Sequence, residues 1–210
     1  MIKVLLKNAT SLEEKTLPGF ETLMGIQWQN ELAFASEKII QTIHKKSKRA
    51  LLKKEITMRQ KWLGFHFQKQ ILEGFLPDIS VRWINDAMGY GVFTEKKIFP
   101  ADYIGEYTGL VRKRVGRIDQ KNDYCFEYSI GDWVYNPFII DAKSQGNFTR
   151  FINHSADPNI EPICVCVDDV MHIIFMALKE IQEGTQLFYQ YGDYFWKKRS
   201  KPLEFSTNKQ

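Results

Sequence analysis

The chain has 210 residues, of which 44% are hydrophobic and 26% are charged, and its formal net charge is +4. This composition is ordinary for a globular protein and excludes a largely disordered chain. No apolar run approaches the roughly 20 residues that span a bilayer, and the first residues are too often interrupted by lysine for a secretory signal peptide. We therefore expect no membrane partner and a cytoplasmic location in the producing cell.

The charge is unevenly distributed along the chain. Residues 1–80 contain 13 Lys and Arg against 8 Asp and Glu, whereas residues 81–210 contain 16 against 17. The basic excess of the first part indicates two regions with different roles. We predict a basic, helical N-terminal region at 1–78, a catalytic domain at 79–196 and a basic C-terminal tail at 197–210.

The cysteines and histidines do not form a metal-binding or disulfide pattern. Cys164 and Cys166 are only two residues apart in an extended stretch, and Cys125 stands alone. The four histidines are scattered without the spacing of zinc ligands. The sequence therefore predicts neither a disulfide framework nor a metal site.

Helical periodicity dominates residues 30–76, after an N-terminal stretch at 1–29 that we predict to be irregular. Leu17-Pro18-Gly19 reads as a turn within that stretch. Apolar residues then recur at steps of three and four, with a break near Gly64. The pattern predicts two or three helices that end before Pro77. The apolar residues that carry it are Leu32, Ala35, Ile39, Ile43, Ala50, Leu51, Met58, Trp62, Phe65, Ile71, Leu72 and Phe75.

A basic run, Lys45-Lys46-Ser47-Lys48-Arg49, lies inside this helical stretch and is followed by Lys53-Lys54. It could be a nuclear-import signal or a nucleic-acid patch. It could equally be the solvated face of a helix, because lysine and arginine are good helix formers. We favour the solvated face, since short basic runs of this kind are common.

From Ile79 onward the sequence changes to short β-rich runs bounded by Gly, Pro, Asn or Asp. Asp168-Asp169 separates two alternating runs and predicts a hairpin turn, and one helical turn is expected near Asn147–Ile152. No alternating strand–helix rhythm is present, which disfavours a doubly wound fold. The fold class is therefore mainly β with an α-helical N-terminal region. The predicted strands include Val81–Ile84, Tyr90–Phe93, Tyr103–Tyr107, Tyr124–Tyr128, Trp133–Tyr135, Phe138–Ile140, Ile160–Val167, Met171–Ala177 and Gln186–Tyr189.

Two motifs fail as signatures of other enzymes. Gly89-Tyr90-Gly91 follows a strand, but no third glycine or helix follows, so it is not a dinucleotide fingerprint. Asn153-His154-Ser155 places a histidine beside a serine, yet adjacent residues rarely face each other productively and no nucleophile-elbow motif is present. A hydrolase is therefore disfavoured.

Four motifs taken in order resemble those of SET-domain protein lysine methyltransferases. They are Gly89–Gly91, Glu106–Gly109, Arg150–Ser155 with Pro158-Asn159, and Gly184–Gly192. The resemblance covers roughly residues 79–196, and Asp141–Asn159 together with Tyr191–Trp196 look especially like the branch directed at histone H3. A small bacterial SET protein of the chlamydial type would suit the basic helical N-terminus. Export to a host-cell nucleus is then an alternative location.

The resemblance implies small curved sheets around a pseudoknot, in which the C-terminal segment threads under the loop that holds Asn153-His154. It also implies S-adenosylmethionine on one face and a substrate lysine entering from the other. By similarity, the cofactor-binding residues are Gly89, Tyr90, Gly91, Arg150, Asn153, His154 and Trp196, with Trp196 or Phe195 stacking on the adenine.

The implied catalytic residues are Tyr191, which would orient the amine, and Tyr107. Tyr124 and Tyr189 are expected in the wall of the substrate channel. A tyrosine two residues before Tyr191 leaves less room for added methyl groups, so we expect mono- or dimethylation. A lysine with its ordinary pKa of about 10.4 is almost fully protonated at neutral pH. An apolar, aromatic channel would favour the neutral amine.

The sequence departs from the family at several positions. Ala156 stands where cysteine is common, Gln186 and Gln190 replace acidic residues, and no cysteine cluster follows Trp196. The zinc-bound element that closes the channel in many members is therefore missing. The tail at 197–210, the N-terminal helices or a second subunit must take its place.

The expected partner is a histone or histone-like basic protein, which the acidic residues Asp119, Asp123, Glu127 and Asp132 would tolerate. Two alternatives stay open. One is a catalytically weak SET-like module that holds chromatin or nucleic acid through its basic helices. The other is an interaction protein in which the helices form a homodimer.

Overall fold

The computed structural model describes residues 1–131, 137–196 and 199. The strands are β1 Ile2–Leu5, β2 Glu13–Lys15, β3 Gln27–Trp28, β4 Ala33–Phe34, β5 Ile79–Asn85, β6 Gly89–Thr94, β7 Tyr103–Glu106, β8 Leu110–Lys113, β9 Cys125–Glu127, β10 Phe138–Asp141, β11 Gln145–Gly146, β12 Asn153–His154, β13 Ile160–Val167, β14 Val170–Ala177 and β15 Phe188–Tyr189. The helices are α1 Leu17–Met24, α2 Glu37–Leu52, α3 Met58–His66, α4 Gln68–Leu72, α5 Gly116–Asp119 and α6 Asp193–Trp196, with a 3-10 helix at Phe148–Phe151. The strand predicted at Trp133–Tyr135 lies outside the described residues, and so does the tail predicted at 197–210 apart from Arg199.

These strands form several small sheets. Their orders are β2-β1-β5-β6, β4-β8-β10-β9, β11-β3, β12-β15 and β13-β14-β7. The predicted hairpin is confirmed, because β13 and β14 pair antiparallel from Ile160↔Ala177 to Val167↔Val170. Asp168 and Asp169 at its turn both have positive φ angles, which aspartate tolerates better than most residues. The fold is mainly β with a helical segment near its N-terminus, as expected.

The expectation that residues 1–29 are irregular is wrong. β1 pairs in parallel with β5 and antiparallel with β2, so the first residues belong to the sheet that carries Gly89–Gly91. Leu17-Pro18-Gly19 begins α1 and is not a turn. Thr16 caps this helix by accepting a bond from the Gly19 amide, and proline suits the first turn of a helix because it lacks an N–H that would need a partner.

The N-terminal segment also supplies strands to two other sheets. β3 pairs in parallel with β11, and β4 pairs in parallel with β8. Backbone bonds therefore join residues 1–34 to the part of the chain that follows residue 78. The boundary placed at residue 78 from charge distribution marks a change in composition, and the sheets continue across it.

The helical stretch is confirmed at α2 to α4, but the break predicted near Gly64 lies elsewhere. Gly64 is inside α3, where a Cβ would overlap the carbonyl oxygen of Cys166 and lie 2.9 Å from its carbonyl carbon. Glycine is therefore needed because α3 packs directly on the backbone of β13. The turn from α3 to α4 comes at Phe67.

The apolar side chains whose spacing predicts α3 and α4 do not all face the core. Of these residues Ile71 is buried, and it packs with Leu63 and Phe67, which the pattern does not include, near Tyr103 and the β13-β14 hairpin. By contrast, Met58, Trp62, Phe65, Leu72 and Phe75 are exposed. Because α3 packs on β13 at Gly64, the face of α3 that contains Gly64 is the face that is covered.

The basic run lies in α2. Lys45, Lys48 and Arg49 are exposed, Ser47 is buried, and the ammonium group of Lys46 lies 5.2 Å from the centre of the Phe138 ring. Basic side chains exposed on a packed helix in this way fit the favoured solvated face.

The described part of the chain meets the requirements of neither a membrane-spanning helix nor a metal cluster. None of its helices is long and apolar enough to cross a membrane. No group of three or more of its His, Cys, Asp or Glu side chains could hold a metal ion.

Candidate active site

The residues that follow the 3-10 helix lie beside the C-terminal segment. β12 pairs in parallel with β15, so that Asn153 lies opposite Phe188 and His154 opposite Tyr189. The Ser155 amide also donates to the Tyr189 carbonyl at 3.2 Å. The two motifs that the resemblance identified are therefore adjacent in space, in the arrangement expected of the pseudoknot.

Asn159 holds this crossing in place with one hydrogen bond that it accepts and one that it donates. Its side-chain oxygen accepts from the Phe188 amide at 2.8 Å, and its side-chain nitrogen donates to the Gln186 carbonyl at 2.8 Å. Because Asn159 is buried, these bonds are shielded from water. The Pro158-Asn159 part of the motif thus holds β15 in place.

The Gly89–Gly91 segment lies against the same crossing. The Asn153 side chain donates to the Tyr90 carbonyl at 3.0 Å. At Gly91, a Cβ would lie 2.5 Å from Gln186 Nε2 and 3.1 Å from Asn153 Nδ2. The side-chain ends of Gln186 and Asn153 therefore lie directly against the buried backbone of Gly91, and a Cβ there would displace them.

Trp196 completes this side of the site. Its ring lies 4.8 Å from the ring of His154 and is stacked on Tyr191 at 6.0 Å. The Tyr191 amide donates to Nδ1 of His154 at 3.1 Å, so the imidazole accepts at that nitrogen. Gly91, Asn153, His154 and Trp196 therefore form one continuous group.

Two buried N–H donors have no hydrogen-bond partner among the described residues. They are Trp196 Nε1 and Gln186 Nε2, which lies beside Gly91. A buried donor without a partner is costly and indicates a group that the structure does not contain. Together with the aromatic rings of His154, Tyr191 and Trp196, they fit a ligand with acceptor atoms and a flat ring. S-adenosylmethionine, the cofactor implied by the resemblance, has both.

Arg150 has different contacts. Its guanidinium donates to the carbonyls of Ala142 at 2.7 Å and Lys143 at 3.2 Å, and it lies 3.8 Å from the centre of the Tyr124 ring. These contacts hold the 3-10 helix to the end of β10. Its contact with a cofactor stays a prediction.

A cavity of about 350 Å³ lies next to Tyr191. Tyr107, Tyr189 and Tyr191 all line it, so the crossing brings together three of the four predicted catalytic and channel tyrosines. Its remaining lining residues are Arg114, Gly116, Asp119, Gln120, Asn122, Asp123, Cys125, Phe126, Glu127, Ile139, Phe195 and Arg199. One part of the cavity is aromatic and another part is polar.

The tyrosine hydroxyls are held by backbone carbonyls. Tyr191 donates to the Ile152 carbonyl at 2.8 Å, and Tyr107 donates to the Tyr124 carbonyl at 2.8 Å. Burial raises the pKa of Tyr107, Tyr189 and Tyr191 above the ordinary tyrosine value. All three remain protonated at neutral pH, so they can orient a substrate but cannot act as tyrosinate bases.

Tyr124 is the predicted channel residue that does not line the cavity. Its ring lies beneath Arg150, and its carbonyl accepts from Tyr107. Phe126 takes the position in the wall instead, with its ring stacked on Tyr189 at 6.1 Å and 5.1 Å from that of Tyr107. Tyr124 lies just before β9 and Phe126 within it, and the alternation of side chains along an extended segment does not say which neighbouring element either residue faces.

Three of the acidic residues singled out in the sequence line this cavity: Asp119, Asp123 and Glu127. Asp119 is buried and neutralised by Arg112, which also bonds Asp141 at 2.7 Å. Burial by itself would raise the pKa of Asp119, but bonds from Arg112 and the Val115 amide hold it below its ordinary value. Glu127 is exposed, and Asp123 is bonded by Arg199. Asp132 lies outside the described residues.

The wall opposite β9 comes from the C-terminal part of the chain. The Phe195 ring lies 4.7 Å from that of Tyr191, and Arg199 lies 4.3 Å from the centre of the Phe195 ring. These two residues occupy one side of the cavity in a chain that lacks the cysteines of a zinc element. Sequence reasoning places Phe195 near the adenine and does not identify Arg199.

A larger depression, of about 570 Å³, lies between α3 and β13. It is lined by residues such as Arg59, Gln60 and Glu161, and it contains none of the predicted site residues. The depression lacks the motif residues that meet in the tyrosine-lined cavity. The tyrosine-lined cavity is therefore the better candidate for an active site.

Comparison with known proteins points to one family. The family described as SET domain matches residues 89–192. The histone-lysine N-methyltransferase EZH2 of Chaetomium thermophilum is 33% identical over 124 residues, which are 52% of this chain and 8% of the relative. The histone-lysine N-methyltransferase EHMT1 of Homo sapiens is 33% identical over 119 residues, which are 54% of this chain and 9% of the relative. This chain therefore spans less than a tenth of the length of these two relatives.

A solved structure agrees with these relatives. The crystal structure of the Chaetomium thermophilum polycomb repressive complex 2 has a TM-score of 0.52 at 30% identity, over 63% of this chain and 17% of that chain. The match of residues 89–192, the motifs within them and the crossing of β12 with β15 agree with one another. Over that segment the chain is a SET domain and belongs to the SET-domain family.

Proposed function

We propose that this protein is an S-adenosylmethionine-dependent protein-lysine N-methyltransferase that acts on a histone or histone-like basic protein. One observation carries the proposal. The crossing of β12 and β15 brings Asn153 and His154 next to Gly91 and Tyr191, and Tyr191 also lines a cavity that contains further tyrosines and acidic residues.

On the cofactor side, Gly89, Tyr90, Gly91, Asn153, His154 and Trp196 would hold S-adenosylmethionine, which supplies an activated methyl group when bound. The unpartnered donors Gln186 Nε2 and Trp196 Nε1 support a ligand with acceptor atoms there. The aromatic rings around Tyr191 would limit the access of water to the place where the methyl group of the cofactor meets the substrate lysine.

On the substrate side, the residues of the cavity favour a lysine. Asp123 and Glu127 at the polar part attract an ammonium group, whereas the aromatic part disfavours its charged form. Only about one lysine in 2,500 is neutral at pH 7 with the ordinary pKa, so this environment increases the reactive fraction. The hydroxyl of Tyr191 and the rigid rings orient the amine, and such positioning can lower a barrier by about 7–11 kcal/mol.

The direct test is transfer of a labelled methyl group from S-adenosylmethionine to a panel of core histones and bacterial histone-like proteins. Label on a lysine would establish the activity. Binding of S-adenosylmethionine without transfer to any member of the panel would place the substrate outside it. Absence of both would contradict the proposal and favour a binding module.

The number of methyl groups added depends on Tyr189, whose ring lies 4.7 Å from Tyr191 and 4.9 Å from Phe175. We expect the wild type to give mono- and dimethyl-lysine. Tyr189→Phe should shift the products toward higher methylation, because loss of the hydroxyl leaves more room around the amine. Mass spectrometry of early time points would measure this. Wild-type products dominated by trimethyl-lysine would contradict it.

A second candidate function, binding of nucleic acid, is supported by α2. Lys38, Lys45 and Arg49 are exposed and form no ion pair with any residue that the structure describes. Their spacing of seven and four residues keeps them on one face, roughly 10 Å and 6 Å apart along the axis. Such a row of cations can contact successive phosphates of a nucleic-acid backbone. This binding would be an additional function next to methyl transfer.

We expect the protein to bind a 20-base-pair duplex with an affinity that falls steeply with salt. Replacing Lys38, Lys45 and Arg49 together with alanine should reduce the slope of log affinity against log salt by about 2–3, because each phosphate contact contributes roughly 0.9. Fluorescence anisotropy measures this. Alanine at Lys96, Lys97 and Lys179, which are ion-paired, is the matched control. An equal loss of affinity in both variants would mean that binding depends only on the net charge of the protein.

The remaining expectations are also proposals. We propose a cytoplasmic location in the producing cell, with export to a host-cell nucleus as the alternative, which cell fractionation would distinguish. A bacterial origin and a homodimer are proposed on the sequence alone. The sedimentation of the purified chain would test the dimer.

A further inference from the structure

A cation of the chain itself is bound at the rim of the tyrosine-lined cavity. Nε of Arg199 donates to a carboxylate oxygen of Asp123 at 2.6 Å. Its two terminal nitrogens donate to the carbonyls of Asn122 at 3.1 Å and Phe195 at 3.1 Å. The guanidinium also lies 4.3 Å from the centre of the Phe195 ring.

These partners form a binding site for a guanidinium group. A carboxylate, two carbonyl oxygens and an aromatic face are the groups that a planar cation with several donors requires. The Arg199 side chain is 19% exposed, whereas that of Asp123 is 65% exposed. The carboxylate is therefore accessible from solvent even while Arg199 is bound to it.

This site adjoins the place where a substrate lysine would react. Asp123, Asn122, Phe195 and Arg199 line the same cavity as Tyr191. A peptide with its lysine in the cavity would bring its neighbouring side chains to this rim.

We propose that Asp123, Asn122 and Phe195 form a subsite for an arginine that flanks the target lysine of the substrate, and that Arg199 occupies it when no substrate is bound. The inference rests on the proposed function. Arg199 then has a double role: it closes the cavity in the free protein and competes with the substrate for one site. A substrate arginine displaces it and gains the same contacts.

Arginine suits the subsite better than lysine for a geometric reason. The contacts of Arg199 use three different nitrogens that point in three directions. A lysine ammonium concentrates its donors at one atom, so it can bond Asp123 but cannot reach both carbonyls at once. The subsite therefore selects a chemical group and does not simply attract positive charge.

The test uses peptides with one target lysine and a single arginine placed at each of the three positions on either side. Matched peptides carry citrulline, the neutral isostere of arginine, at the same position. The measured quantity is the preference ratio, which is kcat/KM for the arginine peptide divided by that for the citrulline peptide. All assays are run at one ionic strength because exposed ion pairs are screened by salt.

We expect Arg199→Ala to raise the preference ratio about three- to tenfold at one or two positions, because the competing cation is gone. Asp123→Asn in the same background should return the ratio to near one. Arg199→Lys should give an intermediate ratio. Lys121→Ala removes an exposed cation one residue before Asn122 and should leave the ratio as in the wild type.

Three results would overturn the proposal. They are an unchanged ratio in Arg199→Ala, an equal rise at every position, and an equal loss of activity on all peptides, which would make Arg199 only a closing element. Binding of the same peptides with norleucine at the target position, measured by anisotropy, gives the preference without catalysis. If that preference shifts while no histone is methylated, the subsite stands and the proposed activity falls.

Discussion

Replacing Tyr191 with phenylalanine should reduce methyl transfer by about 100-fold or more. The Tyr191 hydroxyl is fixed by its bond to the Ile152 carbonyl at 2.8 Å, and Tyr191 lines the cavity. Phenylalanine keeps the ring and its contacts with Phe195 and Trp196 but removes the polar atom that would orient the amine. Removal of one preorganised hydrogen-bonding group at a reacting centre typically costs about 10²- to 10³-fold.

The measurement is single-turnover transfer of labelled methyl groups beside calorimetric binding of S-adenosylmethionine. We expect the binding to change little, since the predicted cofactor contacts lie on other residues. Tyr103→Phe is the matched control, because Tyr103 is also buried but lies against Phe67 and Phe75, outside the cavity. Equal losses in the two variants, or full activity of Tyr191→Phe, would show that the hydroxyl has no part in the reaction.

Gly64→Ala should destabilise the protein by about 3 kcal/mol, near the upper end for overpacking of a core. The added Cβ would overlap the backbone of Cys166 in β13, so α3 would have to move away from the hairpin. Helix propensity alone predicts the opposite sign, because alanine is favoured over glycine inside a helix by about 1 kcal/mol. The sign of the change therefore distinguishes the two effects.

Urea denaturation measures the change, and Phe65→Ala is the control. Phe65 follows Gly64 in the same helix but is exposed, so its removal should alter stability by less than about 0.5 kcal/mol. Increased stability of Gly64→Ala would contradict the packing of α3 on β13. The effect also reaches the site, since β13 pairs with β14, whose Phe175 packs on Tyr189.

Much of the fold could be predicted from local sequence. The strands β5, β6, β13 and β14 coincide with the predicted β-rich runs bounded by turn residues, and Asp168-Asp169 forms the expected turn. The site could be located only through the order of the motifs and their resemblance to a family. Residue types alone indicate a glycine pair, a polar triplet and several tyrosines without saying that they meet.

Other features were beyond local reasoning. The first 29 residues lack a recognisable pattern because their strands are short and find their partners far along the chain, as β1 does with β5. The apolar residues of α3 indicate a helix but not its buried face, which depends on the approach allowed by Gly64. Periodicity reports spacing along one element and contains no information about the element that covers it.

The sequence by itself determined the class of the fold, the hairpin at Asp168-Asp169 and the identity of the residues in each motif. Only the tertiary structure decided that Phe126 lines the cavity in place of Tyr124, and that Arg199 binds Asp123 from 76 positions away. The physical reason is that hydrogen-bond and packing partners so distant in sequence are chosen by the path of the chain. Local propensities do not specify that path.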